Sequence, residues 1–126
     1  MELAPEPIAS YEELQARRNG GAPFPVRVVL FRPALTPDSV HEWSCIVSVE
    51  PLWPEAFKIF GGGSFQALCL AARHAVQMLT TFAEREGTLE YSDGATFDPA
   101  VFGFRLLGDP RAPEESRMDA VHNRPD

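Results

Sequence analysis

The chain has 126 residues, 44% of them apolar and 23% charged, with a formal net charge of -7. That length suits one domain able to bury about two-thirds of the surface its unfolded chain exposes, and no apolar run approaches the roughly 18 residues of a membrane span. The acidic balance disfavours nucleic acid, whose phosphates need a basic footprint, and two cysteines, Cys45 and Cys69, are too few for a disulfide framework.

The charge is unevenly placed. Residues 20–83 balance, whereas from Glu84 onward ten acids face five bases. The opening "MELAPEPIASYEEL" is acidic and lacks a basic segment leading into an apolar one. No secretory signal is therefore expected, and a cytoplasmic location is.

Residues 8–17 admit two assignments. Ser10 followed by Glu13 fits a helical capping box, with Tyr11 and Leu14 on the buried side. "RNGG" just beyond also fits a hairpin turn, which makes the same segment an edge strand. Residues 24–32, "FPVRVVLFR", are β-branched and aromatic, ended by Pro33 and Pro37. A strand there puts Val26, Val28 and Leu30 on one face, and Val29 and Phe31 on the other beside Arg27. In "HEWSCIVSVE" (41–50), Trp43, Cys45, Val47 and Val49 alternate with Ser44, Ile46 and Ser48, a period of two. "EAFKIFG" (55–61) predicts a third short strand, with Phe57 and Ile59 opposed to Lys58 and Phe60.

Ser64 is placed to cap a helix from about 64 to 86. Phe65, Leu68, Ala72, Ala75, Val76, Leu79 and Phe82 recur at helical spacing, with Gln66, Arg73, Gln77, Thr80 and Glu84 opposite. Gly87 fits a left-handed glycine ending that helix. "TLEYSDGATFDPAVFGF" predicts a short strand, a turn at Asp93-Gly94, and an apolar cluster of Phe97, Val101, Phe102 and Phe104 folding back on the sheet or helix. Residues 109–126 are polar and punctuated by proline, so a mobile tail is expected after a domain of residues 1–108. The expected class is α+β: an antiparallel meander of about four strands on one long helix, with a short C-terminal strand or loop segment.

"EWSCIVSV", "GGGSFQALCLAARHAVQML" and "GTLEYSDGATFDP" together resemble a bacterial domain-of-unknown-function family, number 6968. Trp43, Cys45, Gly61, Ser64, Gln66, Ala67 and Leu68 carry the likeness, and Gly63 stands where that family commonly has Asp. It covers residues 43–80 well and 8–104 loosely. The family has no assigned activity, so the resemblance implies no chemistry; it does favour a strand over residues 8–17. The strand order also looks like that of small antitoxin domains, a likeness of topology alone.

The three glycines 61–63 ask whether a phosphate is cradled there. A Walker loop needs a lysine after its last glycine, and a dinucleotide fingerprint needs a third glycine that Ser64, Phe65 and Gln66 do not supply. A bare helix N-terminus still binds anions through free amides, so Gly61, Gly62, Gly63 and Ser64 form the one anion-site candidate. The commoner use is glycine taking unusual dihedrals between strand and helix.

His41, His74 and His122 form no ligand pair, and Cys69 and His74 lie about 140° apart around a helix. His74 is expected on the polar side of that helix, Cys69 as an inert core thiol, and Trp43 in the core. Glu90, Asp93 and Asp98 lack the spacing of a calcium loop. No catalytic residue, metal or cofactor is expected.

One helix covers only one face of a sheet. The face bearing Val29, Phe31, Ile46 and Phe60 therefore needs cover from the C-terminal segment, a second protomer or a partner. The leading expectation is a small acidic non-enzymatic module that binds a protein partner or itself through a sheet face or edge. Its charge suits a basic partner, as for an immunity or antitoxin protein. The competing expectation is a small-molecule or anion-binding protein, enzymatic or not, with its site at 61–64. Neither nucleic acid nor membrane is an expected partner.

Overall fold

Residues 8–17 resolve to the strand, because a tight turn returns them onto their neighbour. Gly20 takes φ +78°, a left-handed conformation that suits glycine, and Gly21 N–H donates to Arg18 O at 2.8 Å. The hairpin pairs β1 (Ile8–Arg18) with β2 (Pro23–Phe31) antiparallel, with Leu14 opposite Val26 and Glu12 opposite Val28. The structure is a computed structural model that describes residues 7–104. The expected tail at 109–126, and His122 within it, lie outside the described residues.

Past Pro33, a two-residue strand β3 (Ala34–Leu35) continues along the edge of β4 (Trp43–Glu50) that β2 also pairs with. β5 (Phe57–Gly61) lines the other edge of β4. Helix α1 (Ser64–Arg85) then crosses one face of the sheet, and β6 (Gly87–Glu90) pairs with β1 at the far side. The spatial order is β5–β4–β2–β1–β6, all neighbours antiparallel, and of the six strands only the two-residue β3 goes beyond the meander and short C-terminal strand expected. The architecture is α+β, one antiparallel sheet packed on one long helix.

Alternation sorts the sheet into two faces. Leu14, Ala16, Val26, Val28, Leu30, Cys45, Val47, Val49 and Leu89 point to the helix and are buried. The helix meets them along Ala67, Ala71, Ala75, Met78 and Phe82, a seam whose first three positions are alanine. That seam corrects the expected apolar stripe. Phe65 is 77% exposed, and Thr80, expected outside, is buried with its hydroxyl donating to Val76 O at 2.7 Å. Small residues let the helix backbone approach the sheet, so the closest line of contact follows the alanines.

Two glycine assignments change as well. Gly87 is not a left-handed helix terminator: the C-cap is Glu86, and Gly87 already belongs to β6 opposite Arg18. A Cβ at Gly87 would fall against Arg17 O, well inside contact distance. The helix begins at Ser64 as expected, but Ser64 is not its cap. Gly63 is the N-cap, with φ -158°, an extended conformation open to any residue.

Candidate functional site

Three places on the fold bear on function: the glycine corner, the sheet face away from the helix, and a cavity beside the helix.

None of the three corner glycines has a positive φ, so unusual dihedrals are not their purpose. Gly61 is needed for close approach, because a Cβ there would lie 2.7 Å from Ala67 N and 2.9 Å from Ala67 Cα. Gly62 N–H donates to Gln66 Oε1 at 2.5 Å, which removes one of the amides an anion would use. Gly63 O accepts from Ala67 N–H at 2.9 Å, the first bond of the helix. No side chain caps the helix start; the hydroxyl of Ser64 is not its cap. The corner holds the helix close to β5, and Gln66 ties back the loop amide just ahead of the helix cap.

Val29, Phe31, Ile46 and Phe60 all lie on the sheet face opposite α1. Tyr11 joins them, since it stands opposite Val29 in the β1–β2 register. Tyr11 and Phe60 are about half exposed, and Val29, Phe31 and Ile46 are half-buried. No described element covers them. Beside this apolar end the register sets Glu13, Arg27 and Glu50 in a row across three strands, with Arg17 and Glu90 beyond and Lys58 opposite Ile46. Three acids and three bases therefore share the face, which is neutral on a protein of net charge -7. The two sheet edges differ: β6 is covered by the 95–97 segment, through Tyr91 N–H to Ala95 O and Phe97 N–H to Leu89 O. Among the described residues nothing pairs with the outer edge of β5, where Lys58 is a charged guard against strand addition.

The third place shows in the sequence only as the apolar cluster that forms one of its walls. A cavity of about 170 Å³ opens on the helix side of the sheet, between the N-terminal half of β1, the middle of α1 and residues 91–104. Leu14, Val28 and Leu30 form its floor, and Ala72, Val76 and Leu79 one wall. Tyr91, Phe97, Phe102 and Phe104 form the opposite wall, with Ser10 and Glu12 at the rim. The expected aromatic cluster thus does fold back, except Val101, which is 67% exposed. It is held by Asp98, whose Oδ1 accepts from Ala100 N–H at 3.0 Å to start the 3-10 turn Pro99–Phe102.

Several other titratable groups have structural explanations. Asp93 Oδ1 accepts from Ala95 N–H at 2.9 Å, closing the turn at Gly94. Among the described residues no three His, Cys, Asp or Glu side chains are grouped to hold a metal ion. No described helix is long and apolar enough to cross a membrane. Cys45 is fully buried, its thiol donates to Phe31 O at 3.2 Å, and burial raises its pKa. Cys69 is only half-buried and not in the core, contrary to expectation. Trp43 is half-buried against the core rather than within it, and His41 precedes β4 instead of beginning it.

His74 is not on the polar side of α1. Its ring packs against Phe57 of β5 at 5.0 Å between centroids, and Nε2 is buried with no hydrogen-bond partner. Burial lowers its pKa from the ordinary 6.5, because a charged ring there has lost water and gained no acceptor. The sign follows by linkage. A folded-state pKa below the unfolded one gives a contribution fully present above pH 6.5 and lost as pH falls through that value toward the folded pKa. Denaturant unfolding of His74→Phe is therefore expected to lose less stability than the parent chain between pH 7 and pH 5. Parallel pH profiles for the two proteins would show the ring already protonated or solvated in the fold.

No family model matches the chain, and no curated protein or solved structure matches it either.

Proposed function

We propose that this chain is a small protein-interaction module whose working surface is the open sheet face around Tyr11, Val29, Phe31, Ile46 and Phe60. The observation that carries the proposal is the placement of five apolar side chains on one face, next to a charge-balanced row, with no described cover. Membership in the uncharacterised family 6968 and a cytoplasmic setting accompany this reading as part of the proposal.

Charge decides among partners. A basic partner, as for an immunity or antitoxin protein, is favoured by the net charge of -7 but not by the face itself, which is neutral. Two copies of an acidic protein repel except where their contact is neutral, and here it is. Glu13, Arg27 and Glu50 also suit a twofold contact, in which each acid can meet the base of the other copy. A second copy of this chain is the occupant we favour.

Size sets the strength. Five strands spaced about 4.8 Å apart span about 20 Å, and six residues along a strand span about 20 Å more. A patch of about 400 Å² per partner lies below the roughly 800 Å² of a standard interface, so association in the micromolar range or weaker is expected. Light scattering over a concentration series tests it. The parent chain should approach twice its 13.9 kDa mass, and Phe60→Glu should remain at the single-chain mass. Phe65→Ser, which removes a still more exposed ring from the helix, should dimerise like the parent. A monomer at all concentrations, or a dimer that Phe60→Glu leaves intact, contradicts the proposal.

A further inference from the structure

We propose that the cavity between β1, β2, α1 and residues 91–104 binds a small organic ammonium ion, its apolar body inside and its charged head at Glu12.

The register supplies the first observation. Glu12 lies opposite Val28, between Ser10 and Leu14, on the side of β1 that faces the helix. Every other acid placed on the sheet so far points to the open face. Glu12 stays exposed because the cavity opens there, and among the described residues it has neither a hydrogen bond nor an ion pair. A carboxylate at the rim of an apolar cavity can be satisfied by water or by a cation, and a cation with an apolar body satisfies both environments at once.

The lining supplies the second. Apart from Ser10, Glu12 and the phenol of Tyr91, the walls are aliphatic or aromatic. Tyr91 and Phe97 stand 6.0 Å apart between centroids, tilted by 45°, and Phe97 and Phe102 stand 6.0 Å apart, tilted by 33°. Such rings offer negative π-faces that attract ammonium groups, an effect that grows as water is excluded. The cavity volume is close to the ~150 Å³ that accommodates a benzene ring in an apolar site. A ring with a two-carbon amine, or a six-carbon alkylamine, is the size that fits. The net charge of -7 adds a long-range attraction for cations.

Three probes that share the 2-phenylethyl body separate charge from hydrophobicity: 2-phenylethylammonium, 2-phenylethanol and 3-phenylpropanoate, each titrated into the full chain while amide spectra are recorded. The ammonium should shift the amides of Ala72, Val76 and Leu79 saturably and bind at least about tenfold more tightly than the alcohol, with the carboxylate weakest. Glu12→Gln, at an exposed position, should keep the fold and reduce ammonium binding to the level of the alcohol. Ala72→Phe should fill the cavity and abolish binding of all three. Equal binding of ammonium and alcohol, preference unaltered in Glu12→Gln, shifts located elsewhere, or no saturable shift up to about 10 mM would each overturn the proposal.

Discussion

Gly87→Ala is expected to destabilise the fold by roughly 4 kcal/mol, an effect usually reserved for severe core damage. The reason is the absence of any room to relax. The new Cβ would meet Arg17 O, Arg17 C and Arg18 Cα, all backbone atoms of β1. β1 is fixed on its other side by nine register pairs with β2, so it cannot retreat without disturbing that hairpin. β6 must move instead, and with it go the pairs Arg17–Thr88 and Arg18–Gly87, and the burial of Leu89. The ion pair between Arg18 Nη1 and Glu86 Oε1 at 2.6 Å links the same two segments, but both side chains are about half exposed and it restores little. For a domain of about 100 residues, 4 kcal/mol corresponds to a loss of roughly 16–30 °C in Tm. Thermal unfolding by circular dichroism checks this. A Tm within about 3 °C of the parent would show that β6 is not seated against β1 as described.

Gly61→Ala is expected to cost roughly 2–3 kcal/mol. Its Cβ would press on Ala67 N and Cα, so the first turn of α1 must lift off the end of β5. Ala67 is fully buried, and lifting it opens a gap under the alanine seam. Gly63→Ala, two residues along, meets nothing within 4 Å and has an extended backbone, so it should change stability by less than about 1 kcal/mol. The pair separates two roles for glycine in one loop. Equal losses for both variants would mean that conformational freedom, not proximity, is what the loop requires.

These two positions also show where sequence patterns stop being informative. Alternation in residues 24–31 and 43–50 is legible because each side chain is placed by its own strand, and the structure keeps every one of those assignments. Gly87 has no such local signature, because its constraint comes from Arg17, seventy residues earlier and adjacent only after the sheet closes. A glycine after a helix has a common local explanation, and the local explanation was the wrong one here. Phe65 fits a helical stripe equally well by spacing. The actual seam was set by which residues are small enough to approach the sheet, and periodicity does not encode that.

The open face and the cavity divide in the same way. Val29, Phe31, Ile46 and Phe60 could be grouped from parity alone, while Tyr11 could not, because residues 8–17 fitted a helix as well as a strand. Glu12 was invisible for a further reason. In a polar run such as "SYEEL" one acid looks like any other, and only the β1–β2 register shows that Glu12 turns inward while Glu13 turns outward. The aromatic wall was legible as a cluster, but not as one side of a cavity.

The proposal that the sheet face is the working surface is tested most directly by amide spectra recorded over a concentration range spanning the micromolar to the millimolar. Shifts that grow with concentration at Tyr11, Val29, Phe31, Ile46 and Phe60, and leave the outer surface of α1 unmoved, are the predicted result. Concentration-dependent shifts confined to the helix, or spectra unchanged throughout, would contradict it.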